Sequence, residues 1–243
     1  MRLNKKIFLV ILFIIMLIAT VFFVQDRLSP MRFSGTVEAT QVVLSSRLSS
    51  NIKTVEVNEG DLIKKDAVLI KLDCEDINVA RARLFDDYSR AKSLLKSGAG
   101  SKESFEKSKS SFDEIEVKKS WCSIKSPIDG VVTNKFHEVG EYVTPGTKLI
   151  SVLDKGDYWV YFYLPHSLIN RFKAGDLVST VLPETAEIFR GSIVKINETA
   201  EFTPKNVQTY DERARLVYGV KVKIENKDDR LKPGMSLDWE IEK

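Results

Sequence analysis

Gly60-Asp-Leu-Ile-Lys-Lys-Asp-Ala-Val-Leu-Ile-Lys-Leu72 returns as Gly140-Glu-Tyr-Val-Thr-Pro-Gly-Thr-Lys-Leu-Ile-Ser-Val152, at an offset of 80 residues. Gly60 meets Gly140, Ile63 meets Val143, Leu69 meets Leu149 and Leu72 meets Val152. The repeat extends upstream: Ser50-Asn-Ile52, Val55 and Val57 lead into the first copy, and Gly130-Val-Val132 and His137 into the second. Asp66 stands where the second copy has Gly146, and both residue types tolerate a turn with positive φ. Each copy therefore reads as a half-motif of short strands, and two halves close one small sandwich. The segment between them, Glu75 to Ser120, has to leave that sandwich and return to nearly the same place, so it projects as an insertion. This geometry suits a spacer better than an enzyme.

The insertion has no proline, and its only glycines are Gly98 and Gly100 at its centre. Ile77, Ala80, Leu84, Tyr88, Ala91 and Leu95 recur at spacings of three and four, which predicts one apolar stripe along a helix. Phe105, Ser108, Phe112 and Ile115 continue a narrower stripe on the return. Two antiparallel helices joined through Ser97-Gly-Ala-Gly-Ser101 are expected, with Ser101 capping the second. Each arm would be roughly 30 to 34 Å long. Lys, Arg, Asp and Glu alternate on the remaining faces, so the hairpin is expected to stand in water.

At the other end of the chain, Ile7 to Val24 are eighteen uncharged residues with Thr20 as the one polar group, enough to cross an apolar bilayer core of about 30 Å. The run ends in bulky residues, unlike a cleaved secretory signal. Arg2, Lys5 and Lys6 precede it, which puts the N-terminus (1–6) in the cytoplasm and the bulk of the chain outside, behind a single span. Residues 25–32, with Pro30, read as a linker. The net charge of +3 is small and partly lies before the anchor, so nucleic acid is not an expected partner.

Phe33–Ala39 and Gln41–Ser45 alternate as strands. Downstream of Gly156 the pattern is all-β apart from a helical start at Pro165–Phe172. Asp157 to Tyr163, Leu177 to Leu182, Gly191 to Ile196, Val217 to Ile224 and Met235 to Ile241 are strand-like, and short strands with regular turns suggest a barrel over 155–243. No role can be read for the polar loop 200–216. The domain expectation is a sandwich built from 33–74 and 121–154, interrupted by the hairpin 75–120 and followed by the barrel.

Cys74 and Cys122, the only cysteines, flank the insertion. A bridge across its root and two separate buried thiols are both compatible with that placement. His137 and His166 are the only histidines, and neither sits in a metal-ligand spacing, so no metal or other cofactor is expected.

Taken with these elements, the phrases Gly35-Thr-Val-Glu-Ala39, Glu59-Gly-Asp61 with Leu69 to Asp73, Ile124-Lys-Ser-Pro-Ile-Asp-Gly130 and Leu231-Lys-Pro-Gly-Met235 make the chain resemble periplasmic adaptors, or membrane fusion proteins, of the HlyD type. The resemblance implies a mainly β fold with an N-terminal transmembrane helix, a barrel-sandwich hybrid, a coiled-coil hairpin and a C-terminal β-barrel. It also implies a ring, commonly of six copies. Glu201–Thr209 with Leu216-Val-Tyr218 is similar to adaptors that serve ABC-type exporters. Family members that dock on TolC-like outer-membrane channels have an Arg, a Leu four residues on and a Ser seven beyond that, and Arg90, Leu94 and Ser101 match that spacing. The resemblance assigns the channel contact to these three residues. On a bland reading, Arg90 is a solvated charge, Leu94 is hairpin packing and Ser101 is only a cap.

Other functions fit less well. A lipoate or biotin carrier needs its modified lysine at the turn where this chain inserts the hairpin. A hydrolase would need a nucleophile elbow, a metal-binding His pair or a phosphate loop, none of which is present. The paired carboxylates Asp86-Asp87 and Asp228-Asp229 fall on a helix face and in a turn. The remaining alternatives are an adaptor for an RND or other secondary pump and an anchored substrate-binding receptor.

Overall fold

β-branched runs bounded by glycine turns form strands in the first half of the chain: β1 (Met31–Ser45), β2 (Ser50–Val55), β3 (Leu62–Ile63) and β4 (Val68–Leu72). Two helices follow, α1 (Glu75–Lys96) and α2 (Lys102–Ser120), then β5 (Ser123–Lys125), β6 (Gly130–Lys135), β7 (Tyr142–Val143) and β8 (Lys148–Pro165). The computed structural model describes Met16 and residues 30–202, 216–226 and 230–242. These form two compact units, one spanning Ala39–Asp157 and the other comprising the first part of β1 with everything after Tyr158.

In the Ala39–Asp157 unit the two copies of the repeat are interlaced rather than stacked. β3 of the first half pairs with β6 of the second, with Leu62 opposite Val131, and β7 of the second pairs with β2 of the first, with Asn51 opposite Tyr142. The hydrogen bonds obey the same exchange. Gly60 N donates to Val132 O at 2.8 Å and Gly140 N to Ile52 O at 2.8 Å, while Asp66 N reaches Ser126 O at 2.7 Å and Gly146 N reaches Ser46 O at 2.9 Å. Asp66 and Gly146 both have positive φ, 66° and 90°, as their shared turn position requires.

The repeat also begins earlier than its apolar spelling indicates. Ser46 and Ser126 are both buried, and each turns its hydroxyl onto the carbonyl two residues ahead, Leu48 O at 2.7 Å and Ile128 O at 2.6 Å. Around them Ile52, Leu69, Leu72, Val132, Leu149 and Val152 form one continuous core with Ile63, Val143 and Ile124. Full burial of each such side chain contributes about 1.5–3 kcal/mol, so both halves depend on the same shared interior. Cys74 and Cys122 border this core and are joined as a disulfide, with Cα atoms 6.1 Å apart.

The second unit contains α3 (His166–Ile169), β9 (Leu177–Leu182), β10 (Glu187–Ile196), β11 (Glu201–Phe202), β12 (Leu216–Ile224) and β13 (Ser236–Ile241). Its strands run β12-β10-β9-β13-β1-β8, and β8 pairs again with β12, which closes the ring into a barrel. Alternate residues of β8, namely Tyr158, Val160, Phe162 and Leu164, point inward and are buried. Trp239 of β13 lies against Phe162 and against Phe172, which follows α3, with ring centroids 5.6 and 4.8 Å apart. Gly35 is needed where β1 crosses β8, because a Cβ there would stand 2.5 Å from Tyr161 O and 2.4 Å from Val160 Cγ1.

Several details differ from expectation. Residues 31–45 form one uninterrupted strand rather than two, so 33–38 pack in the barrel unit and not in the sandwich. Residues 148–165 likewise form a single strand, which runs past the expected break at 155. Pro165 ends that strand and caps a helix of four residues, shorter than the one expected over 165–172. Apart from Met16, the expected span 7–24 lies outside the described residues, as do 203–215 of the polar loop. Among the described residues no helix is long and apolar enough to cross a membrane.

Candidate functional site: the tip of the helical hairpin

Over its 22 residues α1 has neither glycine nor proline, with Glu75 and Asp76 in the first turn and Lys96 in the last, which suits the helix dipole at both ends. Its length is about 33 Å at 1.5 Å per residue. Ile77, Ala80, Leu84, Tyr88, Ala91 and Leu95, the expected stripe, are half-buried, as are Asn78 and Ser89 beside it. On α2, Phe105, Ser108 and Phe112 are half-buried and Ile115 is buried.

Aromatic rings connect the arms. Tyr88 stacks on Phe112 at 5.6 Å and 8°, and contacts Phe105 at 5.8 Å, while Phe85 packs on Phe112 at 5.4 Å. Arg81 pairs with Glu116, and Lys119 donates to Asn78. These pairings fix the register, so the helices run antiparallel and turn back at residues 97–101.

The turn closes tightly on Leu94. Gly98, at φ 76°, lets its own N–H reach Leu95 O at 3.1 Å, and Ala99 N–H reaches Leu94 O at 3.0 Å, which is the Schellman pattern. Gly100 N and Ser97 Oγ donate to the same Leu94 carbonyl, each at 3.0 Å. A Cβ on Gly100 would sit 3.0 Å from Leu94 Cβ and from Leu95 N. Ser101 then starts α2, its Oγ accepting Ser104 N–H at 3.1 Å. The spacing predicts the turn over 97–101 and the Ser101 cap but not this closure on the Leu94 carbonyl. Glycine just past a helix end was the available signal for this cap.

Arg90 and Leu94 lie four residues apart on α1, one turn above the other, off the stripe that faces α2. Arg90 is exposed, and Leu94 retains 45% of its surface although the neighbouring Leu95 is packed. Ser101 is exposed, and its capping bond uses one lone pair and leaves the hydroxyl proton to donate. The tip thus presents a forked cation, an apolar side chain and a small hydroxyl on a rigid support. Such a set can recognise another protein's carbonyls, carboxylates and apolar surface.

Elsewhere the titratable groups are arranged as exposed pairs. His137 Nδ1 lies 2.5 Å from Glu141 Oε2, and this contact holds the Glu141 carboxyl below its ordinary value. Glu56 is lowered in the same way by hydrogen bonds from Lys71 and Thr54. Burial raises Tyr163, with the negative charge of Glu201 adding to the effect. Among the described residues no three His, Cys, Asp or Glu side chains gather as a metal cluster. A shallow concavity on the outer face of α2, lined by Glu106, Lys109, Asp113, Glu114 and Val117, is open to water.

Comparison with known proteins bears on the interlaced unit first. Residues 40–155 match the family described as the RND membrane fusion protein, barrel-sandwich hybrid domain, which coincides with the Ala39–Asp157 unit almost end to end. Residues 40–155 thus carry a domain of the membrane fusion proteins.

The chain is 36% identical over 118 residues to a UPF0194 membrane protein of Acidithiobacillus ferridurans, covering 48% of this chain and 35% of the relative. It is 27% identical over 113 residues to a UPF0194 membrane protein of Citrobacter koseri, covering 46% and 34%. It thus spans about a third of the length of these curated relatives. The MacA-MexA chimeric protein, containing the Pseudomonas aeruginosa MexA alpha-hairpin domain, matches with a TM-score of 0.67 at 20% identity over 88% of this chain and 82% of that one. Membrane fusion protein Spr0693 of Streptococcus pneumoniae R6 matches with a TM-score of 0.66 at 15% identity over 88% and 99%. At these identities the structural likeness establishes the fold.

Proposed function

We propose that this chain is a membrane fusion protein, a non-catalytic periplasmic adaptor that joins an inner-membrane transporter of the ABC type to a TolC-like outer-membrane channel. The carrying observation is that the chain interrupts one sandwich at its midpoint with a rigid, water-exposed strut, whose tip holds Arg90 and Leu94 outward on a locked turn. In this reading residues 7–24 anchor the chain in the inner membrane with residues 1–6 in the cytoplasm. The body lies in the periplasm, an oxidising compartment compatible with the Cys74–Cys122 bridge. Copies pack side by side as a ring, taken as six from the family resemblance. Arg90, Leu94 and Ser101 make the channel contact.

The description of the matched domain favours one second reading, that the transporter is an RND pump. The pointer to an ABC exporter is the sequence around Glu201–Thr209, most of which lies outside the described residues.

The test is a photoreactive amino acid placed at Arg90 or Leu94 in intact cells. Recovery of a cross-linked outer-membrane channel is the expected result. Cross-links confined to sibling copies would refute the tip assignment, and co-purification of the inner-membrane partner decides between ABC and RND.

A further inference from the structure

Phe202 of β11 and Leu216 of β12 are paired directly across the sheet, and they are 75% and 53% exposed. Most other large apolar side chains exposed on the barrel unit stand singly, which is ordinary for a protein surface. This pair is contiguous and lies at a particular end of the barrel. Val217, next to Leu216, is opposite Pro165 at the close of β8. β1 runs antiparallel beside β8, since Gly35 lies against Tyr161 and the Trp159 indole donates to Glu38. Four residues back from Gly35, Met31 therefore comes level with Pro165. The rim carrying Phe202 and Leu216 is thus the rim at which the chain enters the barrel from its N-terminal side, three strand spacings or about 14 Å away.

The length of chain before Met31 limits where this rim can be. Gln25 to Pro30 are six residues, which reach at most about 22 Å when fully extended. If residues 7–24 span the bilayer, Met31 cannot stand farther than that from the membrane surface, and the rim pair lies about 14 Å to its side. The same rim carries both signs of charge, with Glu201 (beside Phe202), Glu240 and Glu242 all exposed. Arg171 is exposed and its guanidinium donates to the neutral carbonyl of Glu242, one residue past the Ile241 that pairs with Met31. Arg32 follows Met31, with its charge balanced by Glu240.

We infer that Phe202 and Leu216 insert into the headgroup region of the lipid bilayer in which the chain is anchored, forming a second membrane contact made by the barrel itself. An aromatic and an aliphatic side chain exposed side by side are groups that partition into the interfacial region of a bilayer. The inference rests on the anchored reading above and adds to it: the barrel leans on lipid at a fixed rim, and the linker does not hold it freely.

The experiment uses the full chain, with its buried disulfide intact, in nanodiscs of phosphatidylcholine and phosphatidylglycerol containing no other protein. Single spin labels are placed through Phe202→Cys, Leu216→Cys, Ile188→Cys and Ile11→Cys. Ile188 is a control, exposed at the opposite end of the barrel beyond the pairing of Gly191 with Ile224. The relative accessibility of each label to oxygen and to a water-soluble nickel chelate reports its depth. The expected result is a ratio at 202 and 216 at least about threefold above that at 188, with 11 deeper still. Aqueous values at 202 and 216 with a lipid value at 11 would overturn the rim contact and leave the anchor standing. An aqueous value at 11 would remove the anchor and the inference with it. Labels at 202 and 216 that are aqueous in pure lipid but shielded from both reagents in native inner-membrane vesicles would mark a protein contact and also overturn it.

Discussion

Breaking the Cys74–Cys122 bond should weaken the sandwich far more than the barrel. The bond closes a loop of 48 residues, and in the chain-entropy description closing a loop of that length stabilises the folded state by about 4 kcal/mol at 25 °C. Reduction is the sharper perturbation, because both sulfurs remain in the core and only the cross-link is lost. A Cys74→Ala, Cys122→Ala variant would add the loss of two side chains that are each 4% exposed. The assay is urea unfolding followed by hydrogen-exchange mass spectrometry, which reads peptides from 39–157 separately from those of the barrel. The expected outcome is a loss of about 2–4 kcal/mol confined to the first set, with amides at the start of α1 and the end of α2 opening first. Cys74 occupies the N-cap of α1 without offering a side-chain hydrogen bond, so the cross-link is what holds that helix root. A loss under about 1 kcal/mol, or an equal loss in both units, would refute the reasoning.

Three further outcomes can be checked. Gly130→Ala should cost about 2–3 kcal/mol in chemical unfolding, because the added Cβ would meet Leu153 O at 2.2 Å, whereas Gly156→Ala should stay within about 0.5 kcal/mol. Arg90→Glu and Leu94→Asp should each weaken capture of the outer-membrane channel about tenfold or more, near 1.4 kcal/mol, with no change in helical circular dichroism. The side-chain carboxyl of Glu141, followed by NMR, should titrate below 4.5, and His137→Ala should bring it back up. A lowered folded value means that the His137 contact contributes stability above the unfolded value and loses it as pH falls through the folded one.

The fold was legible where side chains report their surroundings. Leu69 and Leu149, or Leu72 and Val152, occupy equivalent interior positions, and apolar identity at a fixed offset is direct evidence of shared burial. The hairpin stripe was readable for the same reason, since helical spacing survives in a water-exposed pair of arms. Ser46 and Ser126 escaped because a buried hydroxyl that satisfies itself on a nearby carbonyl has no apolar signature. The long strands were misread at Thr40 and at Asp154–Asp157, where polar residues interrupt the pattern. The backbone continues there, supported by bonds such as Thr40 Oγ1 to Asp157 Oδ2 at 2.6 Å. Exchange of β3 and β7 between halves is a nonlocal choice that no window of sequence encodes. At the tip, the spacing of Arg90, Leu94 and Ser101 was visible, but the triple hydrogen bond that locks the Leu94 carbonyl was not. The disulfide was left open by spacing alone, because residues 48 apart meet only if the hairpin returns to its own root.

The trading of short strands between the two halves also sets an order of events during synthesis. When residue 72 leaves the ribosome, β2 has β4 beside it but lacks β7, and β3 lacks β6, because those two strands do not emerge until residues 130–143. The helices come out in that interval and can zip together on local contacts alone. A nascent chain therefore carries a finished strut on an unfinished base, and the base closes only once the final arm has brought its complement back to the starting point.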